Sequence, residues 1–323
     1  MRNTRIDELM ARADPAAGAS VPEADRALLG RILADPAGPP GPAASPAPVR
    51  AGGRRRLVYG LACAAAAAVT AVAVLALPGS GGTSFAATPP PLAYHLTAQQ
   101  AGVKAGTELL SLAQRVRGLP DVPAAGAAGE GALRWRQWSL NTRDDHGKVT
   151  SKVVPVENEV TPGPQGPVLT SRSLEDGKER VERMPATPTL PQGEVPATGT
   201  ALKDWLRGST PGVDNPNGAS QVLRDLLTQR VLGPASRAAV LEWIAGLPGL
   251  EITGDVTDRA GRPGVAYSAL SSDSGLPTRY TFVVDPASGS LLAMEEMLTE
   301  TAGMLNVPVP SVISYTVYLD RAR

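Results

Sequence analysis

Residues 57–77 form an apolar stretch, LVYGLACAAAAAVTAVAVLAL, that has no charged side chain and directly follows Arg54, Arg55 and Arg56. A helix rises about 1.5 Å per residue, so this stretch would extend about 30 Å, the thickness of the hydrocarbon core of a bilayer. We therefore predict a single transmembrane helix at 57–77. Such a helix divides the chain into a short N-terminal head and a large C-terminal domain in different compartments.

Two other interpretations of the apolar stretch are a buried, alanine-rich helix of a soluble protein and a signal peptide cleaved after Ala86. Small residues around 84–86 suit a signal peptidase, but 56 residues precede the stretch. A cleaved signal peptide starts close to the N-terminus and has an apolar core of about 7–15 residues, so an uncleaved signal-anchor is favoured. Most of the apolar run follows Cys63, so this residue is interpreted as a lipid-facing or packing residue and not as a lipoprotein cysteine.

Basic residues around the span predict its orientation. Arg50 and the triplet Arg54, Arg55 and Arg56 lie on the N-terminal side, whereas the first basic residue on the other side is Lys104. Basic flanks stay in the cytoplasm, so we expect a protein of the cell membrane with its N-terminus inside and its C-terminal domain outside. The triplet would also contact anionic headgroups of the lipid bilayer. The predicted parts are a cytoplasmic head at 1–35, a Pro/Ala/Arg-rich linker at 36–56, the span at 57–77, an extracytoplasmic tether at 78–91 and an α+β domain at 92–323.

The overall charge gives no reason to expect nucleic-acid binding. Lys and Arg together number 31, and Asp and Glu together also number 31. Proteins that bind nucleic acids through phosphate contacts carry a basic surface, so nucleic acid is not expected among the partners. The single cysteine, Cys63, excludes an intrachain disulfide and a thiolate-ligated metal site.

A search for catalytic motifs favours a non-enzymatic protein without a cofactor or metal. The two histidines, His95 and His146, are far apart in sequence and lie outside any zinc-binding frame, and no GxSxG elbow, Ser-x-x-Lys set or phosphate-binding loop is present. Glu295 and Glu296 are adjacent in a predicted strand, so they should point to opposite faces and not act together. Asp258 and its neighbours lack the spacing of a calcium loop.

The N-terminal head contains two short amphipathic patterns. Ile6, Leu9 and Met10 share one helical face, and Leu28 and Ile32 share another. Isolated helices this short are marginal in water, so they need a partner, the membrane or each other. Two interpretations stay open: a docking segment for a cytosolic regulator, and a disordered tail.

The C-terminal domain has the patterns of an α+β fold. A capping box at Thr97 and Gln100 predicts a first helix at 97–117, and the strand LRWRQWSLN is interpreted as having one aromatic face. Further elements are predicted by apolar periodicity and turn residues: strands at 133–141, 148–156 and 168–183, helices at about 200–206, 219–231 and 234–247, and strands at 250–256, 264–270, 278–284, 290–299 and 311–319. The last five strands should form an antiparallel meander.

The last strand predicts which side of the sheet is covered. Ile313, Tyr315, Val317 and Leu319 alternate with the polar Ser314 and Thr316, a pattern typical of a sheet covered on one side. We expect a curved antiparallel sheet with the helices packed on that apolar face and a single transmembrane helix before it.

The order of these parts, and above all the segments LRDLLTQ, WIAGLPGLEITGDVTDRAGRPGVAY and RYTFVVDPASGSLLAMEE, resembles an uncharacterised family of actinobacterial single-pass membrane proteins. The resemblance implies a short cytoplasmic head and an extracytoplasmic domain similar to the fold of lipoprotein carriers and envelope-stress sensors. It implies no activity.

Two functions from different classes follow. In the first, the outer domain senses or binds an envelope partner or ligand while residues 1–35 engage a cytosolic regulator, in the manner of transmembrane anti-sigma proteins. In the alternative, the outer domain is a membrane-tethered carrier whose half-open sheet holds a lipid or another apolar molecule from the envelope.

Overall fold

The computed structural model describes residues 86–120, 133–145, 148–175, 178–208 and 212–319. All of them belong to one compact unit, Ser84–Arg323. The head, the linker, the predicted span at 57–77 and the turn residues 146–147 and 176–177 lie outside the described residues. Within the described ranges, no helix is long and apolar enough to cross a bilayer.

The described residues form a ten-stranded antiparallel sheet and four helices, an α+β arrangement as predicted. The helices are α1 (Ala105–Arg117), α2 (Gly199–Arg207), α3 (Pro216–Gln229) and α4 (Pro234–Ala245). The strands are β1 (Tyr94–His95), β2 (Leu133–Asp145), β3 (Lys148–Thr161), β4 (Val168–Glu175), β5 (Lys178–Pro185), β6 (Glu251–Thr257), β7 (Pro263–Ser271), β8 (Thr278–Val284), β9 (Leu291–Leu298) and β10 (Ser311–Leu319). Their order across the sheet is β1-β6-β7-β8-β9-β10-β2-β3-β4-β5.

The strands β6 to β10 form the predicted meander, each pairing with the next in sequence. The turns between them have the predicted chemistry: Gly261 and Gly289 adopt positive φ angles, 80° and 68°, which residues with a side chain rarely adopt. The earlier strands β2 to β5 continue the sheet, because β2 pairs with β10. The first half of the domain is therefore added to one edge of the meander.

The helix boundaries differ from the prediction at three N-termini. Thr97 and Gln100 do form the reciprocal capping-box hydrogen bonds, 3.0 and 3.3 Å long, but they close an isolated turn. Gly102 follows with a φ angle of 79°, which interrupts the helical path, so α1 begins only at Ala105. The residues before α2 and α3 act as caps: Thr198 accepts a hydrogen bond from the Ala201 N–H, and Asn215 accepts one from the Gly218 N–H.

The helices pack on the face of the sheet opposite to the predicted one. We call it the helix face; Tyr267, Tyr280, Phe282, Met294 and Tyr318 lie on it in one buried cluster with the apolar sides of α1, α2, α3 and α4. Tyr315 and Val317 belong to a separate cluster on the other face, which we call the strap face. The prediction was wrong because β10 is buried on both faces, and its own alternation does not reveal which one the helices cover.

The strap face is covered by residues 86–95, which we call the strap. Within it, the Ala86 N–H donates to the Asn306 carbonyl at 3.0 Å, and the Thr88 hydroxyl donates to Ser311 at 3.2 Å. Leu92 packs against the cluster on this face, and Tyr94 begins β1, which pairs with β6. Residues 86–91, predicted as part of a tether, therefore lie on the sheet.

Candidate functional site

A buried ion pair on the strap face is the site at which the strap is attached to the sheet. The Arg259 guanidinium donates to the Glu295 carboxylate at 2.8 Å, and the Glu295 side chain is only 1% exposed, against 23% for Arg259. Glu295 lies on β9, where its neighbour Glu296 points to the helix face, as the sequence predicted. A carboxylate this deeply buried requires partners, since an unpaired buried charge is strongly destabilising.

The strap supplies the remaining hydrogen-bonding groups around this pair. The Tyr94 hydroxyl donates to the second Glu295 oxygen at 3.2 Å, and the Pro90 carbonyl accepts from Arg259 at 2.8 Å. The ion pair thus contacts the strap at two points four residues apart. We call Arg259, Glu295 and Tyr94 the clasp.

Arg259 also lies against two stacked aromatic rings. Its guanidinium carbon is 4.6 Å from the ring centre of Tyr315 and 5.9 Å from that of Trp138. The two rings are 6.4 Å apart and inclined by 21°. The Tyr315 hydroxyl accepts a hydrogen bond from the Arg259 backbone N–H at 3.0 Å. These contacts orient the guanidinium toward Glu295 and add a cation–π attraction.

The turn that presents Arg259 is held by a second buried carboxylate. Asp258 accepts hydrogen bonds from the Ala260 and Arg262 N–H groups at 2.9 Å, and from the Arg262 side chain at 2.6 and 2.9 Å. These bonds pin both ends of the turn between β6 and β7. Asp258 is therefore a structural residue, and its position next to Arg259 in sequence places the clasp arginine.

Burial keeps the tyrosines of this region protonated. The pKa of Tyr94 is raised well above its ordinary value, first by burial and then by the negative charge of Glu295. The pKa of Tyr315 is also raised, chiefly by burial. Both phenols therefore remain protonated hydrogen-bonding groups to a higher pH than an exposed tyrosine would.

A matching polar contact on the helix face attaches α3 to the sheet. Glu296 accepts from the Ser220 hydroxyl at 2.9 Å and from Arg224 at 2.5 Å. The Tyr280 hydroxyl donates to Asn217 at 3.1 Å near the start of the same helix. Adjacent glutamates on β9 thus fasten the strap on one face and α3 on the other.

Three open grooves lie on the described part of the domain. The one of about 350 Å³, next to the end of β3, is lined by uncharged residues that include Leu133, Val160 and Pro162. The other two have charged borders. One, of about 380 Å³, lies between α1, α2 and α4 and is bordered by Lys203, Asp214, Glu242 and Trp243. The other, of about 370 Å³, lies on β2 to β5, where Val154 and Val156 are bordered by Arg180 and Glu182. Both are suited to contact a macromolecule, because they combine apolar surface with charged borders.

The sequence-based candidates are scattered. The topology residues Arg54, Arg55 and Arg56 and the residue His146 lie outside the described residues. His95 is exposed in β1 opposite Asp255. No group of three or more metal-ligating side chains occurs among the residues that the structure describes.

The two tryptophans of β2 correct another expectation. Trp135 lies in the cluster on the helix face and Trp138 in the cluster on the strap face, so this strand does not have one aromatic face. Residues three apart in a strand point to opposite faces, and this spacing was the available signal. For Arg259 no comparable signal existed, because its partners are 36 or more residues away in sequence.

Comparison of the chain with protein-family models, with curated proteins and with solved structures finds no match. The resemblance to single-pass membrane proteins therefore stays a prediction. What the domain does has to be inferred from its own contacts.

Proposed function

We propose that this chain is a non-enzymatic, single-pass membrane protein whose extracytoplasmic α+β domain binds an envelope partner or ligand and whose head signals to a cytosolic regulator, as transmembrane anti-sigma proteins do. In this proposal the N-terminus is cytoplasmic, the span is 57–77, and Arg54, Arg55 and Arg56 set the orientation of the span. The resemblance to a family with a stress-sensor-like outer domain belongs to the same proposal.

The clasp is the observation that best supports it. The strap begins nine residues after the predicted span ends, and hydrogen bonds at Pro90 and Tyr94 attach it to the buried ion pair of the sheet. A sensor needs a mechanical connection between its binding domain and its span. The strap provides such a connection, because movement of β9 or of the β6–β7 turn would displace Pro90 and Tyr94.

The packing of the helix face favours this function over a carrier of apolar molecules. Tyr267, Tyr280 and Phe282 are at most 1% exposed and fill the space between sheet and helices. A lipid held there would have to displace these rings, at a cost typical of disrupting a packed core. Two of the three open grooves are bordered by charges, which suits a protein or peptide partner better than an acyl chain.

The test is crosslinking in cells, followed by purification of the full-length chain and of a variant lacking residues 1–35. We expect a cytosolic protein to accompany the full chain and to be lost with the deletion. A sharper comparison sets L28S/I32S, on the predicted apolar face of the head, against D25S/R31S, which leaves the net charge unchanged. Loss of the partner only in the first variant supports a docking helix. A head that captures no cytosolic protein would refute the signalling function.

A further inference from the structure

The strand β5 is an open edge of the sheet. It is the last strand in the order, its eight side chains are all exposed, and among the described residues it pairs only with β4. The opposite edge is the two-residue strand β1. Because an edge strand presents unpaired backbone N–H and C=O groups, β5 offers the longer site for addition of another strand.

The backbone register of β4 and β5 places uncharged residues directly opposite the charged residues of β5. Glu179, Arg180, Glu182 and Arg183 lie opposite uncharged residues of β4, in order Leu174, Ser173, Ser171 and Thr170. Inside the sheet the arrangement is different, because Arg134 and Arg136 form ion pairs with glutamates of the neighbouring β3. A strand added on the outer side of β5 could therefore place charged side chains directly opposite the alternating charges of β5.

The geometry points to a second copy of this chain as that partner, with the two β5 strands antiparallel and a two-fold axis at Val181. In this register Glu179 lies opposite Arg183 of the second copy, and Arg180 lies opposite its Glu182. By symmetry each pair occurs twice, so four pairs of opposite charge flank a central pair of valines. Opposite charges directly across an antiparallel pair are stabilising, and the interface is self-complementary, as a two-fold dimer requires.

The neighbouring registers are disfavoured by charge. Shifting the pairing by one residue places Glu179 opposite Glu182 in one direction and Arg180 opposite Arg183 in the other. Shifting it by two residues places two copies of Arg180, or two copies of Glu182, directly opposite each other. Like charges directly across a strand pair are destabilising. Two antiparallel β5 strands are therefore favoured in the register centred on Val181 over registers shifted by one or two residues.

The ion pair between Arg180 and Glu182 does not oppose this pairing. Arg180 and Glu182 form an ion pair within β5, 2.7 Å long, with side chains 63% and 46% exposed. An ion pair this exposed contributes little, so exchange for the partner's residues costs little. Val181 at the axis is 47% exposed and would be covered in the dimer. The inference stands independently of the proposed function, because it depends only on the described sheet.

Disulfide trapping of the purified full-length chain tests the register. In a C63S background, V181C places the two new thiols at a Cα separation of about 5 Å, within disulfide range. The control C63S/E179C places them four residues apart, about 14 Å, and cannot form the bond. Under mild oxidation we expect a disulfide-linked dimer from V181C formed much faster than from E179C. Equal rates in the two variants would overturn the inference.

Charge reversal tests the pairing without a covalent bond. R180E should raise the dimer dissociation constant about tenfold or more, because it replaces two attractive pairs by two repulsive ones. The double variant R180E/E182R restores opposite charges and should recover the dimer, as measured by sedimentation. Circular dichroism checks that each variant is folded. A dissociation constant that R180E leaves unchanged, or a double variant no better than R180E, would assign β5 to a different partner and refute the self-association.

Discussion

Replacing Arg259 of the clasp should destabilise the domain far more than replacing Arg117, a more exposed arginine that also donates to a glutamate. Arg259 donates to Glu295 at 2.8 Å, and Arg117 donates to Glu242 at 2.8 Å. The difference is burial: the glutamate side chain is 1% exposed in the first pair and 24% exposed in the second. Comparing R259M with R117M therefore tests chiefly the effect of desolvation, together with the smaller effect of the aromatic contacts of Arg259.

The magnitude follows from what each substitution leaves behind. R259M leaves the Glu295 carboxylate buried with the Tyr94 hydroxyl, and breaking a buried pair in this way costs about 3–5 kcal/mol. Lost contact with the Trp138 and Tyr315 rings adds about 0.5–1 kcal/mol. R117M leaves a partly hydrated carboxylate, so its cost is about 1 kcal/mol or less. For a domain of this size the difference corresponds to a fall in Tm of roughly 12 °C.

Thermal and urea unfolding of the full-length chain, followed by tryptophan fluorescence, measures both variants. Trp138 stacks beside Arg259, so its emission also reports local disruption. The double variant R259M/E295Q removes the unpaired charge and should recover much of the loss, since buried pairs are often replaceable by neutral residues. Equal destabilisation by R259M and R117M, or a double variant less stable than R259M, would refute the reasoning.

Three further outcomes are expected. The free energy of unfolding should fall as pH rises above about 10. Burial raises the pKa of four tyrosines in the folded chain above the value of 10.0 that they have in the unfolded chain: Tyr94, Tyr267, Tyr280 and Tyr315. Above this pH the folded state keeps protons that the unfolded state loses. Y94F should therefore make the fall of unfolding free energy with pH less steep, by about 1.4 kcal/mol per pH unit. In Gly254→Ala, the added Cβ would lie 2.6 Å from the backbone of His95, and residue 254 has a φ angle of 127° that alanine rarely adopts. The strap should therefore detach more readily from β6, and limited proteolysis should cut it faster than in the parent chain. Leu223→Ala, at a fully buried position of α3, should cost about 2–5 kcal/mol in urea unfolding, and a smaller loss would contradict the packing of the helix face.

The sequence predicted most of the elements but fewer of their boundaries. Turn residues and alternation were sufficient for the meander β6 to β10, because both signals act between residues close in sequence. The start of α1 was misplaced, because a capping box also forms in an isolated turn and Gly102 carried no distinguishing pattern. The opposite directions of Glu295 and Glu296 were predicted correctly, since they follow from strand geometry alone.

The sequence by itself determined the α+β class, the antiparallel pairing of neighbouring strands and the alternating charges of β5, because each arises from local periodicity. Only the tertiary structure decided which face the helices cover, that the strap lies on the other face, and that Arg259 meets Glu295 beside Tyr315 and Trp138. These choices depend on residues brought together from distant parts of the chain. β5 combines both levels: its charge pattern is local, but its position at the open edge results from the pairing of β10 with β2.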